Sequence, residues 1–455
     1  MTLWEELRAK MEAHPRQTVE EGARRLTYAE VIGLAEKQAE ELRGKQCCAL
    51  FCHSELNAAI ALLACFAAGV TALPLPARYG MTHCHGMLNT VLPDAVICDE
   101  GGGAHVKPFL HGQYVPPEVH PALIMCTSGT TGKPKGSILT ERNILTNVRD
   151  IAEYFGITPD DRVLIARPLY HCAVLTGEFL TALVRGSAVC FYSGELNPAA
   201  LLREISAREI TVLGGTPTLL SMMARMSHRR PVTALRHVAV SGECLTAQNA
   251  RILRACFPAA RIYHVYGLTE ACPRVAYLPP DLFSKYPEYV GIPLKSVSVK
   301  IVKKDGREAQ AGETGMLYVR GGNVMAGYYR DPETTKRVLR DGWLCTGDLA
   351  QKNEAGYLRI MGRADDLIIR AGMNIFPSEI ENALKRDRRV HDAVAYAVPH
   401  RFGTRIGLRI SGDFADVAEV KRLCVQCLPS FQVPSEIELL DSLPRTCTGK
   451  VIRHA

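Results

Sequence analysis

A surplus of charge of one sign is what this sequence most plainly lacks: over 455 residues, 54 Lys and Arg against 47 Asp and Glu leave a formal net charge of +7. So mild an excess gives no electrostatic reason to expect nucleic acid or an acidic membrane as a partner. Internal repeats and low-complexity tracts are missing too, and a composition of 47% hydrophobic and 22% charged residues is that of ordinary globular proteins. Long apolar runs are scarce. One uncharged stretch, Leu56 to Ala77, approaches the length of a membrane span, but Gly69, Pro74 and Pro76 cut it. The expectation is therefore a buried helix over Ala58 to Ala68 followed by extended Val70 to Leu73, and no membrane span. The N-terminus lacks the shape of a signal peptide, since Trp4, Glu5, Glu6 and Arg8 open an amphipathic helix. With no export signal, the 16 cysteines imply free thiols and a reducing, cytoplasmic setting. Neither Cys424-Val-Gln-Cys427 nor His83-Cys84-His85 has a second ligand pair beside it, so structural zinc is not expected.

What is present is an alternation of helix and strand patterns. Thr27 and Glu30 form a capping box ahead of apolar Val31, Ala35 and Leu42, with a stop at Gly44. Short apolar strands follow at Cys48 to Phe51, Val163 to Ala166, Ala188 to Tyr192, Ile210 to Leu213 and His237 to Val240. Helical stretches near Gly177 to Leu183 and Leu201 to Ala207 lie between them. This pattern predicts α/β layers with mostly parallel sheets. After Tyr289 the texture changes to alternating segments, Val297 to Val302 and Gly315 to Val319, which suggest a barrel-like β piece. Beyond Gly362 comes a small α+β unit with a helix from Ser378 to Lys385, a strand from Asp392 to Val398 and a helix from Val417 to Leu428. The expected fold is α/β: a large N-terminal domain, 1–363, of layered sheets plus the barrel-like piece, and a small mobile C-terminal domain, 364–455.

The segment richest in chemistry is Cys126-Thr127-Ser128-Gly129-Thr130-Thr131-Gly132-Lys133-Pro134-Lys135-Gly136. Hydroxyls and exposed backbone N–H groups donate to phosphate oxygens, glycine permits close approach, and lysine supplies charge. It is not a Walker loop, because only two residues separate its glycines and Pro134 follows Lys133. A phosphotransferase using such a loop would release ADP.

This loop resembles the phosphate loop of the adenylate-forming acyl- and aryl-CoA synthetases, adenylation domains and luciferases. Four further segments match that family in its order: Tyr266-Gly267-Leu268-Thr269-Glu270, Thr346-Gly347-Asp348, Gly362-Arg363-Ala364-Asp365-Asp366, and Gly449-Lys450. Together they span nearly the whole chain. The resemblance implies a two-step reaction, in which a carboxylate attacks the α-phosphate of ATP and a thiol then displaces AMP. It implies Lys450 as the cation that lets two anions meet, Glu270 as the Mg²⁺ carboxylate and Thr269 as a phosphate donor. Asp348 would hold the ribose hydroxyls, and Tyr266 and Arg363 would also contact the nucleotide. Asp365 would be the hinge of the small domain, and Gly372 would lie at the thiol tunnel. The setting of Lys450 after Pro444 also resembles the family's lysine-acetylation site, which would make neutralisation an off switch. Two positions depart from the common pattern: Glu141 where His is usual, and Arg370 where Lys or Ser is more typical.

The acid pocket is implied to involve Tyr170, His171 as an aromatic gate, Thr216, Gly242, Gly267 and Leu268. No carboxylate stands in Tyr170-His171-Cys172 to pair with an ammonium, which disfavours α-amino acids. Glycines with small hydroxyls favour an aryl acid, with a medium fatty acid left open. The thiol is either CoA or the phosphopantetheine of an acyl or aryl carrier protein. No carrier domain follows Ala455, so such a partner is expected to be a separate chain.

Overall fold

The computed structural model describes residues 1–109, 112–128, 134–194, 196–227, 231–370, 373–400 and 403–444. It resolves into two compact units, one of residues 1–299 with 318–345 and one of residues 300–317 with 346–455.

The first unit contains two layered sheets. One has strands in the order Ile292–Pro293, Arg274–Leu278, Arg261–Gly267, His237–Val240, Val212–Gly215, Arg162–Ile165, Ala188–Phe191, Thr18–Glu21 and Arg24–Thr27. The run from Arg261–Gly267 to Thr18–Glu21 is parallel throughout, and antiparallel strands close both edges. The other orders Gly327–Tyr328, Pro134–Leu139, Leu123–Ser128, Thr71–Pro74, Cys47–Phe51, Ala95–Glu100 and Gly103–Pro108. Parallel strands buried on both faces read as continuous apolar runs, which is why these stretches show no alternation in sequence.

The long uncharged stretch folds as anticipated. Its helix, Glu55–Ala68, is capped by the Ser54 hydroxyl on the Asn57 N–H, and Gly69 ends it in the left-handed region at φ 65°. No helix among the described residues is long and apolar enough to cross a membrane. The Thr27–Glu30 capping box forms, at the head of the Tyr28–Glu41 helix. His83, Cys84 and His85 sit on the Gly80–Val91 helix with only Cys84 buried. On the Val417–Cys427 helix Cys424 is buried and Cys427 exposed, and no metal-holding cluster forms among the described residues.

The helix expected near Gly177 to Leu183 is longer, running from Cys172 to Arg185, with a wider π turn at Leu175–Leu180. The sequence signal missed both because the segment is buried on nearly every side, Thr176, Glu178 and Thr181 included, so periodicity marks neither its start nor its register. π turns commonly sit at functional sites.

The strands anticipated after Tyr289 are present as Val297–Val302 and Gly315–Gly321; Trp343–Lys352 and Leu358–Arg363, which were not anticipated, complete the half-barrel sheet. In the second unit, the Pro377–Leu384 and Val417–Cys427 helices pack on strands Val390–His400, Gly403–Gly412 and Glu436–Leu439. Ile380, Leu384, Ala395, Leu408 and Val420 make their common core.

Candidate active site

Four neighbouring parallel strands deliver the expected acid-side residues to one edge. Tyr170 and His171 follow Arg162–Ile165, Thr216 follows Val212–Gly215, Gly242 follows His237–Val240, and Leu268 follows Arg261–Gly267. The carboxyl ends of parallel strands are where α/β sheets characteristically bind ligands. The Tyr170 and His171 rings lie 4.2 Å apart at a 43° tilt. Thr216 caps the Pro217–Met226 helix, and a Cβ on Gly242 would stand 3.6 Å from its methyl group. The next turn is fixed by Glu243, which accepts from the Thr218 hydroxyl at 2.6 Å. Gly267 permits a still closer approach, since a Cβ there would lie 2.1 Å from the Pro273 carbonyl oxygen.

Past Leu268 the chain makes a 3-10 turn, Thr269–Ala271, that presents Glu270. Its carboxylate is half-buried and accepts from the Tyr328 hydroxyl at 2.8 Å. Its carbonyl accepts from the Met325 N–H at 2.9 Å. Tyr328 pairs with Ser137 on the Pro134–Leu139 strand, and its ring lies 5.6 Å from the Lys135 ammonium. That strand forms a hairpin with Leu123–Ser128, pairing Thr127 with Lys135. The rigid stems of the phosphate loop thus connect, through Tyr328, to Glu270. Gly129, Thr130, Thr131, Gly132 and Lys133 lie outside the described residues. Tyr328 was missed from sequence; its signal was the Gly327-Tyr328-Tyr329 run, which carries no ionisable group of obvious purpose.

The chemistry of this donor set suits magnesium, which takes one or two carboxylates and keeps its remaining positions for water and phosphate oxygens. Glu270, anchored at one oxygen by a neutral hydroxyl, meets that demand. No group of three or more His, Cys, Asp or Glu among the described residues competes for the ion.

In the second unit Asp348 and Arg363 face each other across paired strands, with Arg363 Nη1 3.3 Å from Asp348 Oδ1 and 2.9 Å from the Thr346 carbonyl oxygen. The Thr346 hydroxyl accepts from the Asp348 N–H at 3.0 Å and donates to the Leu317 carbonyl at 2.8 Å. Asp348 is therefore buried, oriented and ionically balanced. Gly347 leaves room for the guanidinium, since a Cβ there would sit 2.7 Å from Arg363 Nη2. Asp365 lies in an exposed turn between the strands Leu358–Arg363 and Ile368–Arg370. Gly372 and Lys450 lie outside the described residues. Of the two departures, Glu141 opens the Glu141–Phe155 helix, where a carboxylate complements the helix dipole. Arg370 donates to the Phe431 carbonyl at 2.9 Å.

The acid side holds a carboxylate that sequence reasoning did not foresee. Glu178, on the π turn, is buried and ion-paired to Arg167. A second buried acid, Glu55, accepts from the Leu169 N–H at 2.9 Å and lies 3.6 Å from Arg78. Burial, aided by nearby Glu21 and Asp99, pushes its carboxyl up to about 7, against the opposing pull of the Leu169 N–H and Arg78.

Residues 7–329 match the family described as AMP-binding enzyme, and residues 379–450 match the AMP-binding enzyme C-terminal domain. The chain belongs to the AMP-binding enzyme family. It is an enzyme of the AMP-forming acid–thiol ligase class. Indoleacetate–CoA ligase of Aromatoleum aromaticum is 29% identical over 94% of this chain and 92% of its own length. The long-chain-fatty-acid–CoA ligase of Haemophilus influenzae is 35% identical, but over 75% of this chain and 63% of its own length. Among solved structures, O-succinylbenzoate CoA synthetase (MenE) from Bacillus subtilis in complex with AMP superposes with a TM-score of 0.87 at 25% identity, covering 100% of this chain and 97% of its own. ATP-bound MatB from Rhodopseudomonas palustris gives 0.86 at 27% identity, over 99% and 97%.

Proposed function

We propose that the protein converts a carboxylic acid, ATP and coenzyme A into an acyl-CoA, AMP and pyrophosphate, and that the acid is an aryl or arylalkanoic acid. The observation that carries this reading is the linkage of the phosphate hairpin, Tyr328 and Glu270 beside a four-strand edge bearing Tyr170, His171, Thr216 and Gly242. It sets candidate anion-binding chemistry two residues past Leu268, at a strand edge that carries glycines and small hydroxyls.

In the first step an acid carboxylate oxygen attacks the α-phosphorus and pyrophosphate leaves. Two anions must meet, so a positioned cation lowers the barrier; Lys450 is that cation. Thr127 to Lys133 and Thr269 hold the polyphosphate, while Asp348 takes the ribose hydroxyls and Tyr266 and Arg363 the remaining nucleotide contacts. Magnesium at Glu270 would offset phosphate charge. His171 and Tyr170 orient the acid, with Thr216, Gly242, Gly267 and Leu268 along its flank. In the second step the thiol sulfur attacks the activated carbonyl and AMP departs. Residues 364–455 turn about Asp365 between the steps, withdrawing Lys450 and bringing the loop at Gly372 to the thiol.

Coverage supports the aryl assignment. Relatives named for indoleacetate, ferulate and succinylbenzoate align over 94% or more of this chain and 92% or more of their own length. Those named for long-chain fatty acids align over no more than 66% of theirs. The reducing setting inferred from the cysteines suits a cytoplasmic enzyme. The deciding experiment is nucleotide analysis with benzoates, cinnamates, arylacetates, fatty acids and amino acids, each with ATP, magnesium and CoA. AMP and pyrophosphate formed with aryl acids are expected. ADP as product, or a sharp preference for amino acids, overturns the reading.

A further inference from the structure

We propose that the Arg167–Glu178 ion pair is the floor of the acid pocket and selects acids that carry a hydroxyl group at the end remote from the carboxylate. This rests on the reading of that strand edge as the acid site and names its substrate class more narrowly.

Arg167 lies three residues past Leu164, and Thr216 three past Leu213. Leu164 and Leu213 are partners in register, so Arg167 and Thr216 stand at the same end of adjacent strands. Glu178 comes from the opposite wall, the π turn of the helix headed by His171, and reaches Gly214: a Cβ there would lie 2.4 Å from Glu178 Oε1. The pair therefore ties the loop after Arg162–Ile165 to that helix, against the strand that leads to Thr216. Only 15% of the Arg167 side chain and 7% of the Glu178 side chain are exposed.

Buried polar atoms ordinarily find a partner. Among the described residues Arg167 Nε and Glu178 Oε2 are buried with none, a donor and an acceptor left over in one pair. Beside Glu178 a cavity that Gly177, Gly214 and Arg274 share with the apolar Ile151, Phe155 and Val163 has space for about one water, so an alkyl chain has no room to continue. Arg274 is 5% exposed, donates to the Tyr154 hydroxyl at 2.8 Å, and forms no ion pair among the described residues. With one carboxylate against two guanidiniums, the floor carries a net positive charge that repels an ammonium. A hydroxyl is the smallest group that both donates to Glu178 and accepts from arginine.

The test compares matched acids, 4-hydroxybenzoate against benzoate and 4-hydroxycinnamate against cinnamate, with hexanoate as the alkyl control, by pyrophosphate exchange. The full-length protein is expected to favour the hydroxylated partner at least about tenfold in kcat/KM, because a site built to bond a hydroxyl discriminates against its absence. Removing both charges together in the R167M/E178L variant should bring that ratio to near unity and raise hexanoate use about tenfold. The isosteric Glu178→Gln, which keeps the packing volume, should cut the ratio at least about threefold. A flat ratio in the unaltered protein, or a ratio unmoved in both variants, overturns the pocket inference while leaving the ligase reading intact. Failure of every acid to yield AMP overturns both.

Discussion

The Tyr328 hydroxyl donates to Glu270 Oε1 at 2.8 Å, joining side chains that stand 58 residues apart. Tyr328 is itself held by pairing with Ser137, so the carboxylate inherits its position from the hairpin that carries the phosphate loop. A hydrogen bond to a charged acceptor contributes about 1.5–3 kcal/mol. Tyr328→Phe is therefore expected to lower kcat/KM for MgATP by about tenfold or more and to raise the magnesium concentration needed for half-maximal exchange. Unchanged values of both would sever the link between this tyrosine and the ion.

Lys450→Ala should abolish adenylation yet spare thioester formation from supplied acyl-adenylate, because the role proposed for this cation is confined to the meeting of two anions. Stopped single-turnover assays of each step make the comparison. Equal losses in both would refute the division of roles.

Asp365→Pro should give the reverse pattern, since proline fixes the backbone at a position proposed to absorb rotation. Adenylation survives and thiolation falls. Full turnover unchanged by the substitution would remove Asp365 as the pivot.

Glu55 makes stability depend on pH. Its carboxyl titrates at about 7 in the folded protein against 4.5 as a model group, so the native state binds the extra proton between those values. The stability that Glu55 contributes is fully present below about 4.5 and is lost as pH rises through 7. Over that interval the loss amounts to at most about 3 kcal/mol. Glu55→Gln cannot titrate, so urea unfolding of the two proteins should diverge across this window, the unaltered protein losing ground. Parallel curves would show that the Leu169 N–H and Arg78 keep the carboxylate charged in the folded protein as it is in the unfolded one. Because Glu55 also fixes the Leu169 amide, the same window should alter the KM for the acid.

Gly267→Ala should unfold the turn that presents Glu270, because the added methyl would meet backbone, the Pro273 carbonyl oxygen at 2.1 Å, instead of a movable side chain. A loss of several kcal/mol or insolubility is expected, as for other overpacked sites. A well-folded variant with normal exchange kinetics would contradict it.

Much of this architecture is legible in the sequence because it rests on local rules. Thr27 with Glu30, Ser54 before an apolar run, and the buried strand at His237 to Val240 each signal their element within a few residues. The candidate residues Glu270, Asp348 and Arg363 stand out only through the family resemblance, since without it each acid reads as an ordinary turn or surface carboxylate. What escaped were relationships between segments. Tyr328 gains its role from a strand pairing formed with a far earlier part of the chain. The Arg167–Glu178 pair spans a loop and the first turns of a helix whose register an all-apolar pattern leaves undetermined. The ionic balance of Asp348 and Arg363 likewise arises from a strand register with a bulge, which no local pattern encodes.

The placement of the thiols equips the molecule to report on its own motion. Among the described cysteines only Cys244, in the first compact unit, and Cys427, in the second, are exposed. Several of the rest, Cys47, Cys52 and Cys272 among them, are buried thiols pushed upward by desolvation and so poorly nucleophilic. With Cys447 replaced by serine, maleimide dyes would attach mainly to those two positions. Energy transfer between them would then test whether the units alternate as proposed, with no cysteine engineered in.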